Sequence, residues 1–107
     1  MKDSKRMKFN IPEEQLALLF RIVIEPLKKL GCRVWIFGSR ARLDNHEYSD
    51  IDILFDPLPG VELRSSKIGL IRDAAEESRL LYKVDLVRLS DLAESYLEGV
   101  LEDRVEL

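Results

Sequence analysis

The sequence predicts one α/β (α+β) domain over residues 1–107, a small β-sheet flanked by helices. Three runs rich in β-branched and aromatic residues have the length and composition of strands: Val34–Phe37, Ile51–Phe55 and Tyr82–Val87. Around them, apolar residues recur at three- and four-residue spacing, as in amphipathic helices. A chain of 107 residues, 46% hydrophobic and 35% charged, suffices for one core and is too short for two.

Met1 to Asn10 mixes Lys, Arg and Asp with no apolar h-region behind it, and no apolar run approaches membrane-spanning length. A cytoplasmic protein without membrane contact is expected. Asn10-Ile11-Pro12-Glu13 reads as a helix start, with Asn10 as N-cap, proline in the first turn and Glu13 as capping-box partner. Leu16, Leu19, Phe20, Val23 and Leu27 give that helix a core stripe. Pro26 should kink or end it, and Gly31 closes the segment. The lone Cys32 cannot form an internal disulfide and reads as a reduced core or boundary residue.

The first strand stops at Gly38-Ser39, and a short helix follows. Leu43 to Tyr48 is then a polar loop carrying the only histidine, His46, read as solvated. Ser49 is suited to tie that loop down through a local side chain to backbone bond. Asp56-Pro57-Leu58-Pro59-Gly60 ends the second strand, with Asp56 read as a turn residue on the face opposite Asp52. A helix from Ser65 or Ser66 to about Leu80 carries Ile68, Ile71 and Ala75 inward. Ser90 is expected to cap a last helix, Asp91 to Leu101, packing Leu92, Tyr96, Leu97, Val100 and Leu101 on the sheet.

Chemistry is concentrated in Trp35-Ile36-Phe37-Gly38-Ser39-Arg40-Ala41-Arg42 and Ser49-Asp50-Ile51-Asp52-Ile53-Leu54. A strand, a tight turn and a helix N-terminus together make an anion cradle, and Gly38 has no side chain to block a phosphate. Ser39 adds a hydroxyl, and Arg40 and Arg42 add positive charge; the rival reading of the arginines is a surface salt bridge. In a strand Asp50, Asp52 and Leu54 share one face, so two carboxylates project together. Bringing them out of water costs several kcal/mol each unless a cation compensates (~2–7 kcal/mol for unpaired polar groups, more for charges). Magnesium, held by one or two carboxylates with phosphate oxygens and water, fits that need. Asp85 sits between Val84 and Leu86 inside a third strand, either as a further site carboxylate or as a buried structural aspartate.

Gly-Ser, a spacer, then Asp-x-Asp resembles the signature of the nucleotidyltransferases of the DNA polymerase β superfamily, and within it the minimal nucleotidyltransferases, antitoxins of HEPN/MNT pairs. The resemblance extends from about Val34 to Val87 and implies a palm-like fold with a mixed sheet. It implies that Asp50, Asp52 and Asp85 are catalytic and hold metal, two Mg2+ ions in all, with Asp52 shared. It further implies that Gly38, Ser39, Arg40 and Arg42 bind nucleotide, ATP being the substrate. Two such ions about 4 Å apart stabilise both the entering oxygen and the leaving pyrophosphate. Relatives commonly place glycine where this chain has Leu43, so the turn there should form differently, through Asp44 and Asn45. A left-handed Leu43 would cost about 1 kcal/mol against glycine.

A net charge of -3 disfavours binding to a nucleic acid backbone. The short chain leaves little room for an acceptor-binding domain, so a partner should complete the site. The resemblance implies a HEPN-type helical protein in a hetero-oligomer, with AMP transferred to its tyrosine hydroxyl. The alternatives are a non-catalytic binding module, and an antibiotic-type transferase acting on a small-molecule hydroxyl with a separate substrate-binding subunit.

Overall fold

The computed structural model describes residues 7–107; the expectation for the charged first residues lies, for 1–6, outside them. Two short strands, β1 (Met7–Lys8) and β2 (Ile11–Pro12), form an antiparallel hairpin. Its two turn residues, Phe9 and Asn10, both have left-handed φ, 58° and 56°, as a two-residue hairpin loop with the right strand twist requires. Asn10 is therefore not the N-cap expected from the sequence. Helix α1 (Glu13–Leu19) starts behind Pro12 with no side-chain cap, and Asn10 Nδ2 donates instead to Asn45 Oδ1 at 2.9 Å.

The chain continues without a break through a π-helical turn, Phe20–Ile24, into α2 (Glu25–Lys29). Pro26 thus neither ends nor precedes the end of the helix at once. Proline cannot donate to the preceding turn and its ring crowds the carbonyl there; a widened turn just before it accommodates both. Gly31, at φ 88°, then closes the helix with its N–H on Lys28 O at 2.9 Å.

The main sheet has four strands: β3 (Cys32–Phe37), β4 (Ile51–Pro57), β5 (Val84–Arg88) and β6 (Val105–Glu106), in the order β5-β4-β3-β6. It is mixed. β4 runs antiparallel to β3 and parallel to β5, and β6 adds a short antiparallel edge to β3. The parallel pair needs a crossover, supplied by α4 (Ser65–Glu76). Alternation puts Val34, Ile36, Ile51, Ile53, Phe55 and Leu86 in one apolar core with Leu19, Val23, Ile24 and Leu27 of the first helices and Ile68 and Ile71 of α4.

All these helices cover one face; the other carries Asp52 and Asp85 together with the buried Trp35 and Leu54. At the far end of that second face Trp35 is buried between the guanidinium groups of Arg33 and Arg104, 4.9 and 4.3 Å from its ring. Arg33 also pairs with Glu106 at 2.8 Å.

Several element ends differ from expectation. β4 runs on through Asp56, paired in register with Arg33, so Asp56 lies on the face of Asp52 and not opposite it. α4 stops at Glu76 because Ser78 Oγ donates back to Ala75 O at 2.6 Å and accepts from Leu80 N–H at 3.1 Å. Ser90 lies in a 3-10 turn (Leu89–Asp91), and α5 (Glu94–Asp103) begins behind Ala93, without a Ser90 cap. No residue of α5 is fully buried; Tyr96 and Leu101, expected to pack on the sheet, are exposed. Leu97 and Val100 of α5 are half-buried.

Between β3 and β4, helix α3 (Gly38–Arg42) is a single turn that ends on Leu43 at φ 66°, ψ 26°. The left-handed cap falls on Leu43 itself, not on Asp44 and Asn45. Asp44 N–H closes it on Ser39 O at 3.0 Å. The Leu43 side chain is 60% exposed, so glycine would lose little packing. Leu43→Gly is expected to stabilise the protein by about 0.5–1 kcal/mol, read as a higher urea midpoint at unchanged slope.

Candidate active site

The site lies where β3 ends and β4 and β5 begin. Register pairs Asp52 with Phe37 on one side and Asp85 on the other, so strand pairing alone sets Asp52 and Asp85 side by side on the open face. Asp50 stands just before β4 and is exposed, Asp52 is half-buried, and Asp85 is exposed. The alternative of a buried structural Asp85 is thereby corrected. Its neighbours Val84 and Leu86 point to the core face, with Leu86 buried.

Gly38 brings the first half of the motif against the second. Its φ is 76°, and a Cβ there would collide with Asp52 Oδ2 and lie 3.3 Å from Asp52 Cγ. Only a residue without a side chain lets this turn pass the carboxylate. Ser39 follows, half-buried, at the start of α3, where the first backbone N–H groups have no intrahelical partner.

The two arginines part company. Arg42 is exposed and held by Asp44 at 3.1 Å and Asp103 at 3.0 Å, so the salt-bridge reading is its resting state. A groove of about 280 Å³ opens beside it between α3 and α5, with Gly38, Ser95 and Tyr96 among its walls. Arg40 is 0% exposed and does not reach that groove. Its Nε donates to Ser49 O at 3.0 Å, Nη1 to Asn10 O at 3.0 Å and Phe9 O at 3.4 Å, and Nη2 to Glu47 O at 3.0 Å. The ring of Tyr82 lies 4.4 Å from the guanidinium. Buried, with its donors on four carbonyls, Arg40 is not placed to make the expected phosphate contact. A guanidinium has N–H donors enough for these four carbonyls, whereas an ammonium has only three.

As expected, Ser49 Oγ ties the loop by accepting the His46 N–H at 2.8 Å, and His46 is exposed. Cys32 is a buried free thiol, and burial pushes its pKa up. Tyr82, the Phe9 and Asn10 carbonyls, and Asp103 were not singled out from the sequence. The last two sets carry no motif; Tyr82 could have been noticed as an aromatic beside the Asp85 strand.

Burial raises the pKa of Asp52 to about 6, helped by the charges of Asp85 and Asp50 and opposed by Arg42 and Arg40. A folded-state pKa above the unfolded value means that the native protein binds the proton more tightly. Its stabilising effect is present below about pH 4 and is lost as pH rises through 6. We expect the urea midpoint, measured without divalent cations, to fall between pH 5 and 7.5 by an amount equivalent to about 1 kcal/mol after allowance for solvent screening.

Among the described residues no three His, Cys, Asp or Glu side chains converge into a ready-made metal cage. The donor set nevertheless fits magnesium. All three donors are hard carboxylate oxygens, their mutual repulsion at Asp52 is what a cation relieves, and magnesium commonly takes one or two carboxylates with the rest from water and substrate phosphates. On the β5 side, a second cavity of about 400 Å³ is lined by Asp85, Tyr82, Arg72 and Glu76. No helix among the described residues is long and apolar enough to cross a membrane.

Residues 32–107 match the family described as Polymerase beta, Nucleotidyltransferase. A solved structure of a candidate minimal nucleotidyltransferase superposes with TM-score 0.68 at 29% identity, covering 95% of this chain and 98% of its own. A crystal structure of a toxin-antitoxin with AMP-PNP superposes with TM-score 0.61 at 22% identity, covering 80% of this chain and 69% of its own. No curated protein sequence matches.

Proposed function

The chain belongs to the polymerase β nucleotidyltransferase family, and on that premise we propose that it transfers AMP from MgATP to a hydroxyl, that of a tyrosine on a HEPN-type helical toxin. It would then be an antitoxin that acts by covalent modification. The observation that carries this reading is the packing of Gly38 against the Asp52 carboxylate, with Asp85 in register beside it. The turn that would receive phosphate and the Asp52–Asp85 pair thus lie next to each other.

Asp50 and Asp52 would hold the magnesium that accompanies the triphosphate, and Asp52 with Asp85 a second; bound there, the metal would supply charge neutralisation for the phosphates. Gly38 and Ser39 would receive the terminal phosphates, with Arg42 swinging from Asp44 and Asp103 to meet them. The acceptor oxygen forms a bond to the α-phosphorus as the bond from that phosphorus to the bridging oxygen breaks. Pyrophosphate leaves, and the hydroxyl proton passes to Asp85 or to water. The protein contributes alignment and charge compensation, which account for most of such a rate enhancement.

The toxin-antitoxin relation of one structural neighbour, seen with the ATP analogue AMP-PNP, supports both the nucleotide and the protein partner. The test is the intact mass of a co-purified partner after incubation with this protein, ATP and magnesium, beside the Asp52→Asn variant. A gain of one or more AMP units with the unmodified protein alone supports the reading. A partner that binds but gains no mass moves the non-catalytic antitoxin to the front, with small-molecule hydroxyls as the next acceptors to screen.

A further inference from the structure

Arg40 is the one fully buried charged residue among those described, and no carboxylate pairs with it. Burying an unpaired guanidinium is costly unless its donors are met and its charge is spread. Here both conditions come from three separate parts of the chain. The hairpin turn offers Phe9 O and Asn10 O, the loop before β4 offers Glu47 O and Ser49 O, and the residue ahead of β5 by two offers the face of Tyr82. Those carbonyls, part-buried or buried, would otherwise lack these donors.

What this arrangement holds is the approach to the site. Ser49 O belongs to the peptide that links Ser49 to Asp50, and Asp52 is two residues on. Apart from Arg40, the loop from Asn45 to Ser49 is tied by bonds within itself, between Asn45 Nδ2 and His46 O, between His46 N–H and Ser49 Oγ and between Ser49 N–H and His46 O, and by the exposed Asn10 to Asn45 contact. Tyr82 meanwhile lines the cavity that contains Asp85. One guanidinium therefore touches the run-in to both aspartate strands and sits two residues after Gly38.

We propose that Arg40 is a positioning residue, whose clasp on the Glu47 and Ser49 carbonyls, the Phe9-Asn10 turn and Tyr82 sets Asp50 and Asp52 relative to Gly38 and Asp85. The N-terminal hairpin is by this account part of the active-site scaffold. The proposal rests on the reading that these aspartates serve a metal-nucleotide site. Its geometric content, a clasp that orders residues 45–51 together with 7–12, stands apart from that reading and is measured separately.

The experiment compares the full-length protein with Arg40→Met, Arg40→Lys and Tyr82→Leu, by amide hydrogen exchange and by calorimetric titration with MgATP. Arg40→Met should raise exchange at least tenfold in residues 7–12 and 45–51 together, while amides of β3 and α4 stay within twofold. Arg40→Lys, which keeps the charge and some of the donors, should recover part of the protection, and Tyr82→Leu should loosen the same two segments less. MgATP affinity should fall in the same order, by tenfold or more for Arg40→Met. If Arg40→Met does not fold, Arg40→Lys and Tyr82→Leu carry the comparison.

Unchanged exchange in the two segments, or a rise spread evenly over the chain, overturns the proposal. So does a loosened loop with MgATP affinity within twofold of the unmodified protein. If the unmodified protein binds no MgATP, the nucleotide reading fails, and the clasp is decided by the exchange pattern alone.

Discussion

Asp52→Asn is expected to abolish the proposed AMP transfer, with a loss of about 10³-fold, and at neutral pH to make the protein more stable. Removing a preorganised charge at a reacting centre commonly costs ~10²–10³ in rate, and Asp52 is the carboxylate that the others surround. It is register-paired to Asp85, crowded by Gly38 and coupled to Asp50. The gain in stability has the same origin. Above pH 6 the unmodified protein keeps a charge on Asp52 that burial and its acidic neighbours oppose. An amide of the same shape carries no such charge. We expect a Tm about 4–8 °C higher at pH 7.5, for about 1 kcal/mol, and a difference that shrinks towards pH 5 as Asp52 protonates. The pair of measurements separates roles. A variant that loses transfer and also unfolds points to Asp52 as a structural residue, and one that keeps transfer removes it from the chemistry.

Gly38→Ala is expected to be nearly as damaging to function and opposite in its effect on stability. The added methyl collides with Asp52 Oδ2, and the φ of 76° is one that alanine adopts at a cost of about 1–2 kcal/mol. The turn can relieve the collision only by moving Gly38-Ser39 away from the carboxylates or by rotating Asp52 out of its place. Either movement would separate the turn proposed to receive phosphate from the proposed metal ligands, and a shift of about 1 Å can cost ~10²-fold in rate. Calorimetric titration with MgATP should show affinity reduced by at least tenfold, with a urea midpoint lowered by about 1–3 kcal/mol equivalent. Wild-type affinity in a stably folded Gly38→Ala protein would show that the turn does not contact the nucleotide.

The contrast between Arg40 and Arg42 shows how far the local sequence reaches. Both arginines follow Gly-Ser, and one pattern suggested one role for both. In the structure they differ because α3 is one turn long: Arg42 faces the groove beside α5, whereas Arg40 turns into the protein, under Tyr82 and the hairpin. Nothing within the motif indicates that Phe9 and Asn10, some thirty residues earlier, supply carbonyls for it. The hairpin itself was hidden because Asn10-Ile11-Pro12-Glu13 also satisfies the pattern of a helix start. Two left-handed residues in the turn decided between the readings.

Strand identity, the alternation that places Asp52 away from the core and the need for glycine at position 38 are properties of short stretches, governed by β-branched composition, the two-residue period and the steric limits of a left-handed turn. These the sequence by itself determined, and with them the motif by which the family can be recognised. Which strands neighbour one another, and with what register, depends on contacts between residues far apart in the chain. Tertiary structure alone decided that Asp85 stands opposite Asp52, that the last residues form an edge on β3, and that Tyr96 and Leu101 of α5 stay exposed. The reason is that pairing and burial are settled by the competition of all surfaces for one core, and no segment's own periodicity records the outcome.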